Sequence, residues 1–299
     1  MRGRELILEL RRRELPQGGW SFGGSLQPSV EATTLAILAS AAEFPEVPAH
    51  SVRFLLSVQR GDGSWPAFKG DDDGSWTTAL AALTLSRVSV DSRVREKATA
   101  WLLDTKGREA HWLWRWKFNT ADAQAGIDPD KYGWPWMPGA NSWVIPTAFA
   151  VIALKQFSAC NPSEEADRRI RTGIAMLLDR ACVGGGWNAG NCVVYGSSLK
   201  PHIEATAAAL MALQDEPRSP LIMRSVDWLR GETANLRAVS SLAWSILCLF
   251  LFGTPVDDLK SRLAAQAAEV SRIQNNGTLA ITALALQCGD MIHPFALIR

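Results

Sequence analysis

Apolar positions along the chain recur in pairs of segments with different character. The second segment of each pair is apolar on nearly every side and rich in Ala, Leu and Thr. Six can be read: VEATTLAILASAA from Val30, TTALAALTLSRV from Thr77, VIPTAFAVIALKQF from Val144, IEATAAALMALQ from Ile203, AVSSLAWSILCLFLF from Ala238 and TLAITALALQ from Thr278. Each follows a more polar amphipathic segment, beginning near Arg2, Ala49, Val94, Ala166, Ile222 and Leu259. The apolar spacing is near 3.6 rather than 2, which predicts helices and not strands. Helices apolar all round belong inside, and those with one charged face belong outside. A lone hairpin cannot bury its inner helix, so the units must close on one another. The pattern therefore predicts an all-α (α/α)6 barrel of six outer–inner pairs, a single domain over residues 1–299 with an insertion at about 106–141.

The junctions repeat as well. Outer segments end in LRRRELPQGGW, LLSVQRGDGSW and LLDRACVGGGW. Gly suits the left-handed turn that ends a helix, and Asp or Ser caps the next one. The Trp is then placed to cover the seam between hairpins. Two inner helices open almost identically, LQPSVEAT from Leu26 and LKPHIEAT from Leu199, which indicates internal duplication.

Composition adds three points. The formal charge is +1, so no basic field draws nucleic acid to the chain. Thirteen Trp against two Tyr suggest a packed helical scaffold, an aromatic cavity or both. The five cysteines are odd in number and contain no CxxC pair, which argues against a disulfide framework and a zinc ribbon. Cys182, Cys248 and Cys288 lie in apolar strings and read as small buried hydrophobes. A reducing, cytoplasmic setting is the simplest expectation. No signal peptide is legible, and the longest apolar run, Leu242–Phe252, is too short to span a bilayer. Arg2, Arg4, Arg11, Arg12 and Arg13 leave two readings for the first helix, an outer barrel helix or a peripheral contact with an anionic membrane.

Several strings point to a family. Phe54-Leu55-x3-Gln59-x3-Gly63-x-Trp65 resembles the core of the QW motif of squalene–hopene and oxidosqualene cyclases. Lys97-Ala98-x2-Trp101-Leu102 resembles its opening, Arg224-x3-Trp228-Leu229 fits it loosely, and Arg171-x-Gly173 leading to Gly186-Trp187 is a degenerate copy. GWPWMPGANSWVIPTAFAVIAL, from Gly133, is similar to a cyclase repeat. The chain thus resembles the terpenoid cyclase/protein prenyltransferase α/α-toroid superfamily. That resemblance implies an isoprenoid-processing enzyme, a single-domain class II-like terpene cyclase acting as isomerase or lyase on a polyprenyl substrate in a central apolar cavity.

Class II cyclases of the family protonate their substrate with the middle aspartate of a DxDD motif, and no DxDD occurs here. Aligning the threonine that follows that motif places Glu204, with His202 two residues before it, where the acid lies. Glu31 takes the same place in the first repeat. At the second inner helix, alignment on Thr77 leaves Asp71–Asp73 ahead of the acid position. Two readings stand for this triplet. It is a turn capping the helix that begins near Ser75, or it is a cation site. Candidate catalytic residues are Glu204, His202, Glu31 and Asp73. Asp71 and Asp72 are candidate metal ligands, and Mg²⁺ is implied only if the substrate is a diphosphate; no other cofactor is expected.

In HWLWRWKF, Trp112, Trp114 and Trp116 alternate with Leu113, Arg115 and Lys117. This segment reads either as a cavity wall, with Arg115 and Lys117 toward phosphate or solvent, or as a loop over the barrel mouth. Trp134, Trp136 and Trp143 are expected in the same cluster, and Trp76 in the cavity. The expected partner is a small isoprenoid or lipid. Cys192 is the one thiol near a barrel-rim loop, and no Asp-x-Cys occurs anywhere in the sequence, so zinc-dependent prenylation is not expected. Two rivals remain: a non-catalytic toroid that binds a lipid or protein, and a glycan-processing (α/α)6 enzyme.

Overall fold

The computed structural model describes residues 3–41, 49–88, 90–122, 127–290 and 292–297; Arg2, named above, lies outside them. Six outer helices are α1 Gly3–Arg12, α3 Ala49–Val58, α5 Ser92–Asp104, α8 Glu164–Asp179, α10 Pro220–Thr233 and α12 Asp257–Val270. Six inner helices are α2 Val30–Ala41, α4 Thr77–Leu85, α7 Val144–Cys160, α9 Ile203–Ala212, α11 Val239–Leu251 and α13 Asn276–Leu286. A short helix, α6 Trp112–Asn119, lies in the insertion. The inner helices pack in the order α2, α4, α7, α9, α11, α13 and back to α2, so the ring is closed. Outer helices sit against the inner ring, as α1 does against α13 and α2.

The two rings follow from composition. In α2 every residue from Ala32 to Ser40 is buried, whereas α1 buries Leu6, Ile7 and Leu10 alone. That placement makes α1 an outer barrel helix. Arg13 completes it by donating to the Ile273 carbonyl at 2.7 Å and to that of Ser271.

One hydrogen-bond unit recurs at four junctions. The indole N–H of Trp20 donates to the Leu10 carbonyl at 2.7 Å, that of Trp65 to Leu55 at 2.8 Å, that of Trp134 to Leu102 at 2.7 Å and that of Trp187 to Leu177 at 2.6 Å. Each acceptor belongs to the preceding outer helix. The backbone N–H of the same Trp donates to a threonine hydroxyl on the next inner helix: Thr33 at 3.0 Å, and Thr78, Thr147 and Thr206 at 2.9 Å. All four indoles are buried. Each junction thus turns two orphaned polar groups of the chain into partners while burying a large apolar face. Gly19 and Gly186 precede two of these Trp with φ of +80° and +78°. A Cβ at either would reach the seam threonine at 2.7 Å or 3.0 Å, so the close approach requires glycine there.

The fifth junction has no Trp. Arg262 closes it, donating to the Thr233 carbonyl at 2.8 Å and the Leu236 carbonyl at 3.0 Å.

The far end of the ring is closed by the segment from Ile292 to Leu297. Its backbone is held from the C-terminal ends of inner helices: Arg87 donates to the Pro294 carbonyl at 3.1 Å, Gln156 to Ala296 at 3.0 Å and Gln214 to Phe295 at 2.9 Å. His293 is buried within it, its Nε2 3.1 Å from the Leu247 carbonyl and its Nδ1 accepting from Phe295 N at 3.2 Å. Those partners suit the neutral ring with its proton on Nε2. The imidazole pKa is lowered from 6.5 to about 4, chiefly by burial, with the Leu247 carbonyl opposing the shift and the nearby Arg87 adding to it.

Cys182 and Cys192 form a disulfide, with Cα atoms 5.1 Å apart. This corrects the expectation that Cys182 is a free apolar thiol. The loop turns back on itself, with Cys182 N donating to Gly186 O at 2.9 Å and Leu199 N to Cys192 O at 2.7 Å. Pairing two of five cysteines leaves an odd remainder, which the count alone had been taken to oppose. Cys248 and Cys288 are buried free thiols, as expected. No helix among the described residues is long and apolar enough to cross a membrane.

Two outcomes follow. Replacing Thr33 by Val keeps its shape but strands the buried Trp20 N–H, so urea unfolding should show a loss of about 1–3 kcal/mol. Because His293 folds as the neutral base, its contribution is intact above pH 6.5 and is lost as pH falls towards 4. The full loss is about 3 kcal/mol, and His293→Gln should lack that part of the acid sensitivity in thermal melts.

Candidate functional site

The seam threonines also decide what faces the lumen. Residues two apart on a helix lie about 200° apart. Thr33, Thr78, Thr147 and Thr206 point outward to their Trp, so the residues two before them point inward. These are Glu31, Trp76, Ile145 and Glu204. All four retain partial solvent access in a ring of otherwise buried helices. Glu31 on α2 and Glu204 on α9 stand at opposite points of the six-membered ring.

One turn deeper, aromatic rings meet across the lumen. Trp76 lies 5.9 Å from Phe149, and Phe149 lies 5.8 Å from Trp244, centroid to centroid. Helix α9 separates α7 from α11 in the ring, so the second contact spans the interior. Phe295 lies 5.5 Å from Phe149 and 5.7 Å from Trp244. Trp244 keeps partial solvent access, whereas Phe149 and Phe295 are buried. The lumen is therefore a cup, open where the inner helices begin and floored by Phe149 and Phe295.

The two mouth carboxyls differ in surroundings. Burial alone raises Glu31 from 4.5 to about 7. The side chain is reachable by water at the mouth, yet enough apolar surface surrounds it to disfavour the ionised form. Glu204 accepts a hydrogen bond from the Ser241 hydroxyl of α11. His202 is exposed, with Nε2 3.4 Å from the Asn188 amide nitrogen.

The structure shifts the expected register at the second inner helix. The seam threonine there is Thr78; Thr77 bonds instead to the Pro66 carbonyl at 3.1 Å. Trp76 consequently occupies the position of Glu31 and Glu204, and Asp73 lies in the exposed loop before it. Asp71 Oδ2 accepts from Phe68 N at 2.9 Å, a bond that closes the turn. The helix entry is served by Ser75, whose hydroxyl accepts from Thr77 N at 3.4 Å, and not by the aspartates. Among the described residues no group of three or more His, Cys, Asp or Glu side chains is placed to hold a metal.

The tryptophans divide. The insertion is pinned over the mouth by buried Glu109, which accepts from Ser142 N at 3.1 Å and lies 3.5 Å from Arg180. This places Trp136 5.1 Å from Trp76, edge to face, with Trp76 N donating to Trp136 O at 3.0 Å. Trp136 therefore lies beside Trp76 at the mouth, and not in a common cluster with Trp112, Trp114 and Trp116. Trp134 belongs to the seam, under the Arg169 guanidinium at 3.6 Å, and is no cavity wall. Trp112, Trp114 and Trp116 lie on a helix, where alternation does not make one face. Trp112 and Trp116 are exposed, and Trp114 is covered by Arg108 and Lys117. Arg115 pairs with Asp130. Trp143 sits at the start of α7, exposed beside Gly190. Phe149, Trp244 and Phe295 were not among the expected residues.

A pocket of about 180 Å³ between α4, α5 and α7 is lined by Leu83, Arg95 and Gln156. It lies at the far end of the inner helices from both carboxyls.

No protein-family model matches the chain. Enfumafungin synthase of Hormonema carpetanum is 25% identical over 235 residues, covering 71% of this chain. The chain spans 18% of the length of that protein. An alpha-amylase from Clostridium perfringens superposes with a TM-score of 0.65 at 10% identity, covering 97% of this chain and 98% of its own. The ent-copalyl diphosphate synthase of Streptomyces platensis superposes with a TM-score of 0.53 at 18% identity, covering 86% of this chain and 50% of its own. At such identity these structures share the (α/α)6 toroid with this chain, and the fold alone.

If burial holds Glu31 neutral, Glu31→Gln should stabilise the fold by about 2 kcal/mol well above pH 7, after allowance for its partial exposure. Below pH 4.5, where both folded and unfolded carboxyls are protonated, the difference should vanish in the same denaturant titration.

Proposed function

We propose that the lumen takes an apolar isoprenoid chain and that the protein is a terpenoid-cyclase-like enzyme in which Glu31 is the general acid. The carrying observation is a carboxyl lifted to about 7 at the rim of an aromatic cup. A neutral carboxyl at working pH has a proton to deliver, and an apolar wall excludes the water that would quench a cation. The faces of Trp76, Trp136 and Trp244 offer negative quadrupole to developing positive charge. Glu204, opposite and held by Ser241, places a second carboxyl at the mouth. Support for this acid over Glu204 comes from its surroundings: burial raises Glu31 with no compensating cation. The partial sequence likeness to enfumafungin synthase favours the same class, and the likeness to ent-copalyl diphosphate synthase agrees with it at the level of fold.

A glycan-processing reading has one observation in its favour, two carboxyls facing one another across an open mouth. The alpha-amylase likeness agrees with it at the level of fold. The apolar second layer, Leu35, Leu80, Phe149 and Ala208, opposes it, since nothing there hydrogen-bonds a sugar hydroxyl.

Incubation with geraniol, farnesol, squalene and the corresponding diphosphates, analysed by mass spectrometry, tests the proposal. A cyclised or isomerised product is expected, with turnover reduced about a hundredfold or more in Glu31→Gln. No product from any of them, or full turnover in that variant, contradicts it. Reducing sugar released from amylose or cello-oligosaccharides would favour the second reading.

A further inference from the structure

We infer that Phe295 is a specificity-determining residue that ends the lumen and selects short apolar chains; this rests on the lumen being the isoprenoid site. The mouth layer on α7 is Ile145 and the floor layer is Phe149. Four residues of helix rise about 6 Å. The floor layer thus lies a single helical turn below the carboxyls.

Phe149 alone does not close the cup. The far side of the floor is the ring of Phe295, fully buried against Phe149 and Trp244. Its side chain comes from outside the barrel repeats, from the segment entering by the opposite end. The backbone of that segment is fixed independently of the ring. Arg87 holds Pro294 O, Gln214 holds Phe295 O and accepts from Leu297 N at 3.2 Å, and Gln156 holds Ala296 O. Removing the ring therefore deepens the cup without releasing the strap. On α9, between α7 and α11, the residue of the same layer is the buried Ala208, whose methyl group is too small to fill the vacated space. The inner helices set the width of the lumen, while residue 295 sets its depth.

Native mass spectrometry of the full chain with geraniol, farnesol and geranylgeraniol, one at a time and in competition, reads this directly. In the wild type geraniol should bind best. In Phe295→Ala the preference should move to farnesol, changing the farnesol-to-geraniol affinity ratio by about tenfold or more. Phe295→Leu, a smaller change, should shift the ratio in the same direction and serves if the alanine variant fails to fold. An unchanged ranking in a folded variant overturns the inference. If neither protein binds a prenyl alcohol, the isoprenoid reading fails separately, and benzene decides the floor. Stabilisation of Phe295→Ala by benzene in a thermal shift, without effect on the wild type, supports a ring-filled floor. No effect on either protein overturns it.

Discussion

The recurring bond from a buried Trp to a leucine carbonyl and a threonine hydroxyl is the constraint on which the rest depends. An outer helix ends with carbonyls that its own ladder cannot satisfy, and the next inner helix must begin in an apolar interior. The indole N–H and the following backbone bond meet both needs at once, and four of the six junctions use it. Because the indole is buried, a broken seam leaves unpaired polar groups in an apolar setting, where they cost most. At the two junctions that lack the unit a guanidinium reaches the same kind of carbonyl, that of Arg262 at the fifth and that of Arg13 at the sixth.

The seam also has a chemical consequence. Fixing each threonine outward fixes the residue two before it inward, and so determines which side chains meet at the mouth. Two of those positions are glutamates and one is a tryptophan. The carboxyls are set by the register of the scaffold, and their chemistry by what covers them. Glu31 lies among apolar groups that disfavour its charge, and Glu204 lies beside a hydroxyl. The aromatic layer below then arises from one residue on each of two helices, Phe149 of α7 and Trp244 of α11.

Much of this was legible in the sequence. Four inner helices begin where their Ala–Leu–Thr strings begin, and the other two begin within two residues, at Val239 and Asn276, because a helix apolar all round has no solvent-facing position to obscure its start. The eight-residue echo around Glu31 and Glu204 placed both at equivalent points. The doubled Thr77-Thr78 was ambiguous by one residue, and only the bond from Trp65 N to Thr78 settles which threonine keeps the register. The alternation of Trp112, Trp114 and Trp116 suggested a common face that a helix does not provide. Phe295 carried no local signal, since its role depends on a chain segment crossing the far end of the ring. The Cys182–Cys192 pair was hidden for a similar reason: parity says nothing about a loop that folds back on itself.

The central claim is that an apolar lumen holds one carboxyl neutral at its mouth. Carbon-13 NMR of the glutamate carboxyls, with Glu31 assigned by difference from Glu31→Gln, measures that most directly. The account predicts a titration midpoint near 7 for Glu31. A midpoint near the ordinary 4.5 would mean that the carboxyl is solvated and ionised, and would contradict it.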